Sequence, residues 1–183
     1  MREGVVHKRV ARAQAARLEA EILLKLHSEN VPVPWVVGYR ENLLILEYLP
    51  GEPLPDIIER GGYEPGALAL ALCDWFAAFY AAVPDGELRG DVNGRNFLYD
   101  EGSGTMYGVD FEERCYGPRA RDAGRLAAFL VTYQTTDRAR QASLAGRFMQ
   151  RFAENFSCEA NEIAAEYELE LVAMQKRRDE KNF

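Results

Sequence analysis

Residues 90 to 113 read GDVNGRNFLYDEGSGTMYGVDFEE. Asp91, Asn96 and Asp110 stand at the ends of two short apolar runs that Gly102 and Gly104 join, a pattern that predicts a two-stranded hairpin. The polar residues have two readings. Asp, Asn and Gly are the commonest turn formers, so the stretch reads as plain loop chemistry. Alternatively, two aspartates and an asparagine supply oxygen ligands for a metal and a carboxylate beside a phosphate.

The flanks supply order. GVVHKRV, residues 4 to 10, is short and β-branched and predicts a strand; residues 11 to 27, ARAQAARLEAEILLKLH, are strong helix formers. In that helix Leu18, Ile22 and Leu26, with Leu23 beside them, predict the buried stripe. VPVP at 31 to 34 blocks helix, and the runs around Arg40 and Glu41 predict a hairpin. PGEPLP, residues 50 to 55, reads as punctuation before a helix from about Pro65 to Val83. After Asp110 the pattern turns helical, with Leu144, Phe148, Phe152 and Phe156 spaced by four, then Ile163, Tyr167, Leu171 and Met174. The tail KRRDEKNF reads as frayed. Few strands and many helices make the fold class α+β.

Bulk properties narrow the function classes. With 183 residues, 48 % of them apolar, the chain can fill a real core as one compact domain or a two-lobed one. A net charge of −7 argues against an autonomous nucleic-acid or anionic-membrane binder, although a local basic patch fits on an acidic chain. Cys73, Cys115 and Cys158 are odd in number and far apart, which suits a reducing cytoplasm and suggests neither a disulfide framework nor a zinc knuckle. The first ten residues carry no secretory h-region. Residues 67 to 83 are almost wholly apolar but short for a membrane span, interrupted by Asp74 and stopped by Pro84, so they read as a buried helix.

Four residues separate Asp91 from Asn96, and Asp110 opens Asp-Phe-Glu. On these letters the chain resembles the protein-kinase-like superfamily, in its compact, atypical branch. It is similar in different motifs to the small kinase of the tRNA threonylcarbamoylation (KEOPS) complex, to aminoglycoside and choline kinases, and to lipopolysaccharide core kinases. The resemblance covers about residues 4 to 133. It implies a reduced N-lobe over residues 1–50, holding strand, helix, hairpin and hinge. Residues 51–183 would form a helical C-lobe with the catalytic loop and the Asp-Phe-Glu hairpin.

The resemblance also implies roles, with ATP and Mg²⁺ as cofactors. Asn96 and Asp110 would be the metal ligands, and Asp91 would orient the acceptor hydroxyl and take its proton. Arg95 would contact the γ-phosphate, or else pair with a nearby carboxylate. Lys8 would hold the α- and β-phosphates and Glu19 would hold Lys8. Glu21 lies about 200° around the helix from Glu19, so only one of them can face the lysine. Leu46 would be the gatekeeper, with the backbone of Glu47 and Leu49 as the adenine-binding hinge, unless LLILEYLPG is plain core. Asp122 would brace the catalytic loop, or be a first-turn acid favoured by its helix dipole. Tyr116, Arg119, Arg121 and Tyr133 are candidates to line the acceptor pocket.

The chain also departs from the pattern. Seven residues precede Lys8, too few for the two strands and Gly-rich loop that normally cover ATP, which leaves either an upstream start or a cut-down lobe. Such a lobe predicts weak ATP binding and slow turnover, or a non-catalytic role. Arg89 replaces the histidine of His-Arg-Asp, so the support of the catalytic loop must differ. Glu112 replaces a glycine, and no Ala-Pro-Glu segment precedes Asp122. Three expectations compete: a cytoplasmic phosphotransferase acting on a small hydroxyl substrate or a dedicated partner protein; a pseudokinase or ATPase serving as a protein-interaction module; and a structural α+β domain.

Overall fold

The structure, a computed structural model, describes residues 4–112 and 115–181. The protein is α+β, with three small antiparallel sheets and six α-helices among the described residues. Strand β1 (Val5–Arg9), helix α1 (Ala13–Ser28), and strands β2 (Val36–Arg40) and β3 (Leu43–Glu47) open the chain. The first sheet has the order β1-β3-β2, and its register sets Lys8 opposite Leu44. The β2–β3 turn falls on Glu41, in the left-handed region at φ 52°.

Helix α1 buries Leu23 and Leu26 of the stripe its leucines predict, but the buried face is rotated away from Leu18. Ala16, Glu19, Ala20, Leu23 and Leu26 face inward, whereas Leu18 is 50 % exposed and Ile22 only half-buried. Ala16 and Ala20 allow close approach on either side of Glu19. A face centred on Leu18 would carry Glu19 away from Lys8.

The punctuation at 50 to 55 conceals structure. Strand β4 (Glu52–Pro53) leads directly into α2 (Leu54–Arg60), whose Pro55 sits in the first turn, where a missing N–H costs nothing. Helix α3 (Pro65–Ala82) starts with the Glu64 carboxylate accepting from the Ala67 N–H at 2.6 Å. By length and composition α3 could cross a membrane, but more than half of it is buried inside the fold, and it is the core helix here. Trp75 stacks on Phe79, meets Phe76 and Phe97 edge-on, and donates its indole N–H to the Pro32 carbonyl at 3.0 Å.

The loop after α3 contains β5 (Glu87–Leu88) and a 3-10 turn (Gly94–Asn96), followed by the hairpin β6 (Phe97–Asp100) and β7 (Thr105–Gly108). β6 sits between β4 and β7; β5 pairs instead with β8 (Cys115–Tyr116). Two-residue strands carry no periodicity, which is why β4, β5 and β8 escape a pattern reading. Helices α4 (Ala120–Thr132), α5 (Arg138–Phe156) and α6 (Ala160–Lys181) complete the chain. The α5 residues Leu144, Phe148 and Phe152 join the buried core. At Gly124 in α4, a Cβ would lie 2.6 Å from the Tyr167 backbone nitrogen and 2.7 Å from the Ile163 carbonyl oxygen, so α6 packs where no side chain fits. α6 continues to Lys181 rather than fraying at Lys176, because Arg177 reaches back one face to pair with buried Glu170. Residues 182 and 183 of the expected frayed tail lie outside the described residues.

Candidate active site

The β6–β7 register pairs Phe97 with Gly108. One step beyond that pair, the Val109 N–H donates to the Asn96 carbonyl at 2.9 Å, so the hairpin brings the ends carrying Asn96 and Asp110 together. Strand β1 approaches from the other sheet. The Lys8 ammonium lies 2.8 Å from Glu19, 2.8 Å from Asp110 and 2.9 Å from Glu112. Glu19 is the residue that faces the lysine, while Glu21 is exposed and pairs with Arg17. Glu19 is fully buried and also accepts from the Phe111 N–H at 3.1 Å, which ties α1 to the Asp-Phe-Glu backbone.

Burial alone would lower the Lys8 pKa, but the hydrogen bonds it donates to Asp110, then Glu19 and Glu112, outweigh that and raise the value to about 12. Three carboxylates around one ammonium leave a net negative site. Asp110 itself holds a positive φ of 65°, a strained conformation for aspartate of the kind found at functional positions.

The segment that carries Arg89, Gly90 and Asp91 is supported from below by Asp122. Its carboxylate, with no exposed surface, accepts from the Arg89 N–H at 2.7 Å, the Gly90 N–H at 3.2 Å and the Tyr80 hydroxyl at 2.8 Å. Burial pushes the Asp122 pKa up, and these three donors oppose that shift. The brace, rather than a free first-turn acid, is what Asp122 forms.

Arg89 supplies the altered support. Its buried guanidinium sits 4.3 Å from the centre of the Phe111 ring and donates to the carbonyls of Val109 and Asp110. One side chain thus links the loop that carries Asp91 to the Asp-Phe-Glu turn. Two of its nitrogens, Nε and Nη1, have no hydrogen-bond partner among the described residues, and burial lowers its pKa against the pull of Asp91, Asp122, Asp110 and Glu19.

Above the brace, Asp91 is held by its own loop. Its Oδ2 accepts from the Asn96 side-chain amide at 2.9 Å, and its Oδ1 accepts from the Asn93 N–H at 3.2 Å. The amide nitrogen of Asn96 is thereby committed, which leaves its Oδ1 for a hard cation. Tyr133 completes the loop: its hydroxyl accepts from the Gly94 N–H at 2.8 Å and donates to Asn93 Oδ1 at 3.2 Å.

Two cavities meet here. One, of about 420 Å³, is lined by Val6, Lys8, Leu46, Leu49, Asn96 and Asp110 among others. The second, of about 510 Å³, is lined by Asp91, Asn93, Tyr133 and residues of α4 and α6. Arg95 lines both. Its guanidinium forms no ion pair among the described residues, so the alternative of a carboxylate partner has no support.

The hinge is only partly available. Leu46 and Leu49 are buried on the wall of the first cavity, but the Glu47 N–H is already committed to the Trp35 carbonyl at 2.9 Å, because β3 pairs there with the chain entering β2. Among the described residues nothing accepts from the Leu49 N–H, so of these two backbone N–H groups only that of Leu49 is uncommitted. Three acceptor-pocket candidates are also displaced. Tyr116 is 61 % exposed in β8, Arg119 lies over the Tyr80 ring, and Arg121 reaches Glu166 at 3.8 Å, all away from Asp91. Only Tyr133 lines the second cavity. In their place stand Arg125, Arg177 and Arg178. The run KRR at 176 to 178 was the available signal for two of these, had the helix been carried through it.

No family model matches the chain, and no curated protein matches its sequence.

Proposed function

We propose that this chain is an atypical kinase, an ATP- and Mg²⁺-dependent phosphotransferase with a protein-kinase-like two-lobed arrangement. Residues 1–50 would form the reduced N-lobe and residues 51–183 the C-lobe, in a cytoplasmic protein. The observation that carries the reading is the meeting of two cavities at Arg95: Lys8, Asn96 and Asp110 line one side, and Asp91 lines the other.

The donor set fits Mg²⁺. Asp110 presents a partly exposed carboxylate and Asn96 an uncommitted amide oxygen on one cavity wall, and hard oxygen atoms are what this ion selects. Glu19, Asp110 and Glu112 bring carboxylate oxygens within 4.8 Å of one another beside them. When bound, the ion would neutralise charge on the β- and γ-phosphates.

The chain's own residues then divide the work. Lys8, fixed by buried Glu19, holds the α- and β-phosphates in the first cavity, with the base against Leu46 and Leu49. The acceptor hydroxyl lies in the second cavity beside Asp91, whose orientation Asn96 and the Asn93 N–H set. The hydroxyl oxygen bonds to the γ-phosphorus, the bond from that phosphorus to the β-γ bridging oxygen breaks, the proton passes to Asp91, and ADP departs. Arg95, between the cavities, stabilises charge on the phosphoryl group in transit.

The test is nucleotide binding by calorimetry, with and without Mg²⁺, together with phosphate release. Mg²⁺-dependent ATP binding is expected, abolished in Asp110→Asn, while Asp91→Asn keeps binding and loses roughly 10²-fold or more of the turnover. Binding indifferent to Mg²⁺, or turnover unchanged in both variants, would sink the reading. The second reading, a weak ATPase or pseudokinase serving as an interaction module, is favoured by Glu112: its carboxylate joins Glu19 and Asp110 on Lys8 and would repel phosphates. Tight Mg²⁺-dependent ATP binding without any transfer would favour it.

A further inference from the structure

The second cavity has an electrostatic character opposite to that of the whole chain. Arg95, Arg125, Arg177 and Arg178 line it, against the carboxylates of Asp91 and Glu170 alone, in a protein of net charge −7. Arg125 and Arg177 share Glu170, which is 7 % exposed and lies 3.4 Å from Arg125. One carboxylate cannot neutralise two guanidiniums. Arg178 and Arg95 make no ion pair among the described residues, so the excess charge faces the cavity. Phe129 and Met174 add apolar wall.

The pairing with Glu170 is what makes this a built site rather than a charged surface. A buried carboxylate fixes Arg125 of α4 against Arg177 of α6, and fixed guanidiniums lose less freedom when they bind an anion. Asp91 lies in the same cavity and can take a hydroxyl proton. A molecule filling this space would therefore offer a hydroxyl to Asp91 and an oxyanion to the arginines.

We infer that the acceptor is a small hydroxyl compound already carrying a phosphate or carboxylate group, bound through Arg125, Arg177 and Arg178; this rests on the phosphotransferase reading. The same field disfavours amino sugars and quaternary amines, whose cations would meet four guanidiniums. The polar end of the acceptor is thus held by α4 and α6, away from the hinge.

A matched set of probes tests this: glucose 6-phosphate, gluconate, glucose and glucosamine, each titrated at constant ionic strength into protein saturated with ADP and Mg²⁺. Glucose 6-phosphate or gluconate is expected to bind roughly tenfold or more tighter than glucose, with glucosamine weakest, and comparison of the two anions separates phosphate from carboxylate. Arg178→Gln removes no partner of a buried group and should fold; it should erase most of the preference for the anion, whereas exposed Arg40→Gln should not. Equal binding of glucose and its anionic relatives, preference for glucosamine, or a preference that survives both Arg178→Gln and Arg125→Gln overturns the inference. Titration without nucleotide separates the two failures. Anion preference in a protein that binds no ATP leaves this cavity standing and removes the phosphotransferase, and Mg²⁺-dependent ATP binding without anion preference does the reverse.

Discussion

Asp122 and Asp110 are both aspartates held by cations and dipoles around one loop, yet they do opposite work. Asp122 is sealed from solvent and accepts from three donors, so most of its hydrogen-bonding capacity is spent on holding Arg89, Gly90 and Tyr80. The Asp110 side chain is 45 % exposed and rests on one ammonium that Glu19 and Glu112 also claim. The first arrangement fixes geometry; the second leaves a carboxylate that can change partners. A site that must bind and release a charged ligand needs both kinds.

Removal of the brace should have the largest effect. Asp122→Ala would orphan two buried N–H groups and a buried hydroxyl, and would remove one of the counter-charges that act on buried Arg89. A loss of about 3–5 kcal/mol in stability is expected, read by denaturant unfolding. A loss below about 1 kcal/mol would show that water or another acceptor replaces the carboxylate. Asp110→Asn should fall at the other end of the scale. Its ion pair is half-exposed and Lys8 keeps two other carboxylates, so stability should change by less than about 1 kcal/mol while Mg²⁺-dependent nucleotide binding is lost. Similar stability losses in the two variants would break the contrast.

The two kinds of aspartate were not equally legible in the sequence. Asp91, Asn96 and Asp110 could be placed together because the Gly102–Gly104 turn fixes a hairpin, and a hairpin forces its two ends to meet. Glu19 could be set against Lys8 because a helix admits only one of two glutamates to a given face. The brace was legible as a role for Asp122 but not as a partner set, since Tyr80 and Arg89 reach it through tertiary packing. Glu112 and Arg89 could be seen as departures from a pattern, yet what they would touch depended on the path of the chain between β7 and β8. The arginine cavity was the least legible part. Arg125, Arg177 and Arg178 converge only because Gly124 lets α6 lie against α4, and because a seven-residue reach from Arg177 to Glu170 keeps the last turns helical.

The smallest effect concerns the proton on Lys8, and it sharpens the contrast by measuring how firmly the exchangeable side is held. The Lys8 pKa rises from 10.5 to about 12 because Asp110, Glu19 and Glu112 together outweigh burial. A base with a raised folded-state value adds stability that is fully present below 10.5 and is lost as pH climbs through about 12. Across the neutral range the contact is therefore indifferent to pH. The neutral amine is the reactive form, so Lys8 should acylate roughly thirtyfold more slowly at pH 9, and roughly fifteenfold more slowly at pH 10.5, than a lysine at the ordinary value, from ionisation alone. Peptide mass spectrometry after a brief acetic anhydride pulse reads this directly, with exposed Lys25 as the internal reference. Glu19→Gln should speed labelling of Lys8, since it removes the one carboxylate that is fully buried; Arg40→Gln, remote and exposed, should not. Labelling of Lys8 as fast as Lys25 in the unaltered protein would mean that the three carboxylates do not hold the ammonium, and the ion-paired state of Asp110 would fall with it.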